Sequence, residues 1–245
     1  MSTTPSVWNE QRLVESFDVD VKGRLKPHVL FSYLINSAWK HTSPTDHGYK
    51  GLSNRNQMWV LAKFQLSIKE LPSWGDQIFI ETWGKGIKKL YALRDFIVST
   101  LEGRKLASAT SAWLVLDKDN HRPLRLDQMS FPWNPGRNEM ETDLNKVPEL
   151  ANAQERAQFQ AVFSDLDPND HVTAMTYLQW IMDSHPRAIL EEELPRSVEL
   201  SFLAEAGIAD KVTVYSEKRD ISELWSIKRP ADQRELCRAK LAWSP

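Results

Sequence analysis

The residues best suited to chemistry lie in the run Asp167-Pro168-Asn169-Asp170-His171. In an extended turn alternate side chains point the same way, so Asp167, Asn169 and His171 can converge. They supply a carboxylate, an amide and an imidazole whose ordinary pKa of ~6.5 suits proton transfer near neutral pH. The apolar stretch from Val172 predicts a helix directly after the run. The first N–H groups of a helix are unpaired and carry partial positive charge, which suits an oxygen gaining negative charge. Such a set could activate a water and stabilise an oxyanion. The same run also reads as an ordinary turn and helix cap, because short polar side chains bond the first free N–H groups. Residue types alone leave both readings open.

Other patterns carry less. Asp165, Asp167 and Asn169 resemble the start of a calcium loop, but such a loop needs glycine at its sixth position and glutamate at its twelfth. Here Asp170 and Thr176 stand there. The stretch Gly84-Lys85-Gly86-Ile87-Lys88-Lys89 lacks the spacing of a phosphate loop. It reads instead as a turn between strands with solvated lysines. His41 and His47 have no accompanying zinc ligand set and read as surface residues. No Gly-x-Ser-x-Gly occurs, so a serine nucleophile on a strand–helix elbow is unsupported. Neither a metal nor a cofactor is implied.

The elements that would position the run form one pattern written twice. Residues 106–113 read LASATSAW and residues 236–243 read LCRAKLAW. Earlier in each half, an acidic turn (FDVD from Phe17, SDLD from Ser164) enters an apolar helix. Aligning Asp20 with Asp167 brings Ser37 opposite Ser184. Val172, Met175, Leu178 and Ile181 recur at helical spacing, and His185-Pro186 stops that helix. Leu30, Tyr33, Leu34 and Ala38 give the first half a similar face. Strands follow each helix: Ile78 with Ile80 and Thr82, residues 91–99 and 112–116, then Val198 with Leu200 and Phe202, Val212 with Val214, and residues 224–227. Turns fall at Pro72-Ser73-Trp74-Gly75, Glu102-Gly103 and Asp119-Asn120. One long helix and several antiparallel strands, twice over, predict an α+β fold with each sheet wrapped around its own helix.

The bulk numbers fit. The 245 residues suffice for two small domains, with 41% hydrophobic and 26% charged residues. A formal net charge of -2 argues against a dedicated nucleic-acid binder. One cysteine, Cys237, forbids an internal disulfide and reads as a small buried hydrophobe in a strand. The first ten residues lack a basic run followed by an apolar stretch, and no stretch approaches the ~20 apolar residues of a membrane helix. A cytoplasmic protein without a membrane partner is expected. Ten tryptophans imply mainly core packing, with some rings free to line an apolar ligand site.

Read together, FDVDVKGRLKPHVLFSYLINSAWKH, MWVLAKF, LPSWGDQIFIETW, KGIKKLYALRDF and ATSAWLVLD resemble the acyl-acyl carrier protein thioesterases of bacteria and plant plastids. The resemblance covers nearly the whole chain and is most specific over residues 74–117. It implies two tandem hot-dog domains, an N-terminal one over 1–134 and a C-terminal one over 155–245, with a linker over 135–154. It implies hydrolysis of the thioester of fatty acyl-acyl carrier protein, with acyl-coenzyme A hydrolysis or acyl-chain sensing without turnover as the rivals. The family motif Asp-x-Asn-x-His-Val-Asn-Asn matches Asp167, Asn169, His171 and Val172, with Thr173-Ala174 in place of the Asn-Asn pair. The family's catalytic glutamate falls on Glu205 in LSFLAEAG, followed by Ala206 where plant members often carry cysteine. In the first half, Lys22 and Arg24 stand opposite Asn169 and His171, so one active site per chain is expected. Val60, Phe64, Trp83, Lys88 and Arg94 are substrate-binding candidates. Lys22, Arg24, Lys26, Lys88, Lys89 and Arg94 are candidate contacts for acyl carrier protein. The assembly would be a monomer or a homodimer.

Overall fold

A computed structural model describes residues 5–126, 131 and 133–243. The outer ends of the two expected domains, Met1 and Pro245, lie outside the described residues. The chain divides into two compact units. The first holds residues up to Lys26 with Leu30–Leu144, and the second holds Pro27–Val29 with Asn145 onward.

The first unit contains β1 (Trp8–Leu13), α1 (Pro27–Thr42), the short α2 (Tyr49–Ser53), β2 (Gln57–Ile68), β3 (Gln77–Lys88), β4 (Tyr91–Thr100) and β5 (Lys105–Asp117). Its strands are antiparallel in the order β1-β3-β4-β5-β2. Helix α1 packs on this sheet with Leu30, Phe31 and Leu34 fully buried, and the Phe31 ring lies 4.2 Å from that of Phe64 on β2. Pro27 opens α1, where its missing N–H costs nothing.

The second unit contains β6 (Gln154–Gln160), α3 (Ala174–Asp183), the short α4 (Arg187–Glu192), β7 (Ser197–Phe202), β8 (Lys211–Arg219), β9 (Ser222–Arg229) and β10 (Arg234–Ala242). Its order is β6-β8-β9-β10-β7, again antiparallel. Taken in chain order within each unit, the strands follow the same path: first, third, fourth, fifth, second. Leu178 and Ile181 of α3 are fully buried, Trp180 stacks on Phe159 of β6, and Tyr177 meets Phe202 of β7 edge-on. The two alanine-rich repeats lie on β5 and β10, where small side chains fit strands buried between neighbours on both sides. Cys237 is fully buried on β10.

Four expectations need correction. The stretch at Gly84–Lys89 is not a turn. Strand β3 runs through it with an irregularity between Gly84 and Gly86, and the hairpin reverses at Lys89-Leu90. Lys85 is not solvated: its side chain is 7% exposed and it pairs at 2.8 Å with Asp95, which is 0% exposed. His41 is not a surface residue either. It lies on the inner face of α1, where Arg94 of β4 donates to its Nδ1 at 3.1 Å. Arg94 is itself buried, so it cannot contact a docked protein. Spacing could not show these burials, because each depends on a partner from a distant element.

The segment expected as a linker is bonded to both units. Glu139 N–H donates to Asp95 at 2.8 Å and Thr142 meets Thr110 at 2.6 Å in the first unit. Val147 N–H donates to Ser201 at 3.0 Å in the second, and Gln154 begins β6.

Candidate active site

The run singled out in the sequence folds as a closed turn between a short 3-10 helix, Phe163–Asp165, and α3. Leu166 and Val172 bridge its mouth. Inside it, Asp167 N–H donates to the His171 carbonyl at 2.8 Å, and Asp170 N–H donates to the Asp167 carbonyl at 3.0 Å. Asp170 takes a left-handed conformation (φ 65°), which aspartate tolerates better than most residues. The Asp167 carboxylate faces inward and accepts from the N–H groups of Asn169 (2.7 Å) and His171 (3.4 Å). It therefore fixes the turn. The Asn169 amide makes no hydrogen bond to the described residues and is open to a ligand. Thr173, at the start of α3, makes no side-chain cap, and its N–H donates to the Asp165 carbonyl at 2.8 Å.

Glu205 comes from the loop after β7. Val172 N–H donates to the Ala206 carbonyl at 2.8 Å, tying this loop to the turn. The result places the Glu205 carboxylate 3.3 Å from His171 Nε2, with both side chains about a third exposed. A histidine and a carboxylate at this separation, open to solvent, can hold and pass a proton. Asp167, Asn169, His171 and Glu205 thus lie together in the second unit.

Two residues that sequence reading did not pick out hold the glutamate loop. Tyr177, one turn into α3, accepts from the buried Ala206 N–H at 3.0 Å, and burial raises its phenol pKa. Arg229 on β9 donates to the Glu205 carbonyl at 3.3 Å and pairs with Asp210 at 2.8 Å, while Asp210 caps Gly207 N–H at 3.0 Å. No spacing signal marks either, since both act from other elements. Tyr177→Phe leaves the Ala206 N–H buried without its acceptor, which should cost about 1–3 kcal/mol. A lowered urea midpoint with an unchanged slope is the expected result. An unchanged midpoint would mean that this N–H is satisfied without the phenol.

The first unit builds the same two loops with other side chains. Asp20 N–H donates to the Arg24 carbonyl at 2.8 Å, and the Asp20 carboxylate accepts from the N–H groups of Lys22 and Arg24. Gly23 (φ 76°) occupies the left-handed place of Asp170. Leu25 N–H donates to the Pro72 carbonyl at 2.8 Å, as Val172 does to Ala206. The bonds of Lys69 and Glu70 to the Leu106 carbonyl match those of Leu203 and Ala204 to the Leu236 carbonyl. This registration puts Leu71 opposite Glu205. Arg24, opposite His171, is folded back onto Asp20 at 2.7 Å. The first copy keeps the turn and has lost the imidazole and the carboxylate.

A separate cavity lies within the first unit, between α1, strands β2 to β5, Phe131 and Trp133. Trp39, Trp59 and Trp113 line it with Arg94. Gly84 leaves room for Phe131 and Trp133, whose ring atoms stand 2.8 Å from where a Cβ would lie. Of the five substrate-binding candidates, Arg94 borders this cavity. Phe64 and Trp83 are fully buried elsewhere in the unit, Val60 is half-buried on β2, and Lys88 is exposed at the end of β3. Among the described residues, no cluster of three or more His, Cys, Asp or Glu side chains could hold a metal ion, and no helix is long and apolar enough to cross a membrane.

Comparison with known proteins gives a consistent result. The chain matches the family descriptions "Acyl-ACP thioesterase N-terminal domain" over residues 5–129 and "Acyl-ACP thioesterase C-terminal domain" over residues 149–245. It is 23% identical over 87% of its length to oleoyl-acyl carrier protein thioesterase 2 of Arabidopsis thaliana, and 24% identical over 98% to palmitoyl-acyl carrier protein thioesterase of Gossypium hirsutum. It spans 64% of the length of each of these chloroplastic relatives. Among solved structures, an acyl-ACP thioesterase from Bacteroides thetaiotaomicron superposes with a TM-score of 0.88 at 25% identity, covering 98% of both chains. The 12:0-ACP thioesterase of Umbellularia californica shares the fold, with a TM-score of 0.84 at 19% identity over the whole of both chains. The tandem hot-dog fold is the one expected from the sequence.

Proposed function

This chain belongs to the acyl-ACP thioesterase family, and from that membership we propose that it hydrolyses the thioester joining a fatty acyl group to acyl carrier protein. The observation that carries the reading is the His171–Glu205 contact beside the uncommitted Asn169 amide. The fold joins the two loops through the Val172–Ala206 backbone bond, as it joins the matching loops of the first unit through Leu25 and Pro72, and in the second unit alone an imidazole and a carboxylate meet there, open to solvent.

The chemistry is written on those groups. A water loses a proton to His171 or Glu205 as its oxygen attacks the thioester carbonyl carbon. The carbonyl oxygen becomes an oxyanion, met by the Asn169 amide and the first N–H groups of α3, and such donors are worth about 3–4 kcal/mol of barrier each. Collapse of the intermediate breaks the carbon–sulfur bond. The proton held by the His171–Glu205 pair passes to the departing thiolate, giving a carboxylic acid and a free thiol. Asp167 acts through the turn it fixes. The reading gives one active site per chain, because Arg24 stays protonated and Leu71 has no ionisable group, so neither can take up a proton from water. Acyl carrier protein is acidic, and the exposed Lys22, Lys88 and Lys89 are its proposed contacts, with an affinity that weakens with salt.

The test is thiol release from carrier proteins loaded with chains from short to long, against matched acyl-coenzyme A thioesters. We expect turnover of carrier-protein thioesters, with a maximum at one chain length and a kcat/KM at least tenfold above the coenzyme A series. Comparable turnover of both series would make the carrier protein incidental. No release from any thioester by folded protein would remove the enzymatic reading.

A further inference from the structure

The duplicated loop offers a control inside one chain. Glu205 to Asp210 in the second unit corresponds to Leu71 to Asp76 in the first. Several clamps are the same in both copies. Asp210 accepts from Gly207 N–H at 3.0 Å, as Asp76 accepts from Ser73 N–H at 2.8 Å. The Asp210 and Asp76 carbonyls accept from Ala161 N–H and Val14 N–H, each at 2.9 Å. Ala209 N–H and Gly75 N–H donate back to the Ala161 and Val14 carbonyls, each at 3.0 Å. These bonds build the loop whether or not it carries an acid.

Two further bonds are made by side chains that the first copy does not have. Both fall on one peptide group, the one joining Glu205 to Ala206. Its carbonyl accepts from Arg229 Nη1 at 3.3 Å, and its N–H donates to the Tyr177 phenol at 3.0 Å. Arg229 is itself held by a fork on Asp232, at 3.0 and 2.7 Å, and by Asp210 at 2.8 Å. In the first copy the same peptide group joins Leu71 to Pro72, which has no N–H to give. The alignment of Asp20 with Asp167 puts Leu30 in the place of Tyr177. Val98 pairs with Ala107 and Ile227 with Cys237, at equivalent places of the alanine-rich repeat. Two residues on, Thr100 therefore corresponds to Arg229, and its hydroxyl accepts from Arg104 N–H at 3.3 Å.

The fold thus closes this loop without an arginine or a tyrosine. What the second copy adds is a hold on both polar ends of the peptide plane beside the Glu205 Cα. A peptide group turns as one rigid plane. With Ala206 anchored by Val172, a turn of that plane would redirect the Glu205 Cα–Cβ bond, and with it the carboxylate 3.3 Å from His171. We infer that Arg229 and Tyr177 are positioning residues for the hydrolysis, locking the Glu205–Ala206 peptide plane so that the Glu205 carboxylate stays on His171 Nε2. This role rests on the thioesterase reading. Arg229 acts by geometry, since its fork is spent on Asp232 and its remaining charge on Asp210.

The test is thiol release from acyl-carrier protein by the unaltered chain, Arg229→Thr, Arg229→Lys and Tyr177→Phe, with and without Glu205→Gln. Rates are taken per folded protein, with folding checked by near-UV circular dichroism. Arg229→Thr and Tyr177→Phe should each lower kcat by about tenfold or more, with KM changed less than about threefold. A misplacement of about 1 Å at a reacting group can cost about 10²-fold. Arg229→Lys should recover part of the loss, because its ammonium can still meet the carbonyl. On the Glu205→Gln background, neither substitution should lower the residual rate by more than about twofold, because no carboxylate is left to aim. Losses of equal size on both backgrounds would make the two residues scaffold and overturn the inference. A kcat left unchanged by either single substitution would overturn the shared role as well. If Tyr177→Phe does not fold, the arginine series decides. No release by the unaltered chain would remove the thioesterase reading and this role with it. Release that survives the substitutions would remove this role alone.

Discussion

His171→Ala is expected to lower kcat for acyl-carrier-protein hydrolysis by about 10²–10⁴-fold, the usual worth of a positioned acid–base group. Glu205→Gln should fall in the same range, because the amide keeps the size of the side chain and cannot hold the proton. Both groups are about a third exposed, and each touches the other across the site. Neither substitution should therefore change the unfolding free energy, read from urea titration, by more than the roughly ±0.5 kcal/mol of an ordinary surface change. If the two residues act as one unit, the double variant will be no slower than the slower single one. KM should change little, since the missing interaction belongs to the transition state. Near-native turnover in both single variants would mean that the cluster is a structural turn. Additive losses would mean that His171 and Glu205 serve separate steps.

The parts of this site that were legible in the sequence are those fixed locally. Asp167 caps N–H groups two and four residues on, which is the habit of a short acidic side chain, and the helix after it shows its apolar face at regular spacing. The duplication was legible because each copy keeps the same turn and the same alanine-rich strand. Ser37 and Ser184, aligned from the sequence, each donate to the carbonyl four residues back, on Tyr33 and Trp180. Strands β1, β2 and β6 were not read as strands. WNEQRL and QERAQFQ carry few β-branched residues, because one face of each is exposed. Glu205 was found through the resemblance alone: an acid in a loop carries no spacing that points 34 residues back to His171. Tyr177, Arg229 and the Arg94–His41 pair show the same limit, since a partner on another element leaves no local trace.

The buried pair Lys85–Asp95 carries the second large expectation, this time for stability. Asp95→Ala removes the acceptor that meets Lys85 at 2.8 Å and the N–H groups of Glu139 (2.8 Å) and Met140 (3.4 Å). It leaves an ammonium in a place where its side chain is 7% exposed. Breaking a buried pair by removing one partner costs about 3–5 kcal/mol, most of it the uncompensated charge. By contrast, Arg104 and Glu70 form an ion pair with both side chains more than half exposed, and Glu70→Ala should leave the urea midpoint almost unchanged. The measurement is urea unfolding of the four chains: unaltered, Asp95→Ala, Glu70→Ala and the double variant Lys85→Met with Asp95→Ala. The double variant should recover much of the loss, because it removes the stranded charge together with its partner. If Asp95→Ala cost no more than Glu70→Ala, water would be reaching Lys85. The segment that Asp95 anchors through Glu139 would then be held by its other contacts, among them Thr142 to Thr110, Arg137 to Glu81, Lys105 to Glu139 and Asp143 N–H to Gln65.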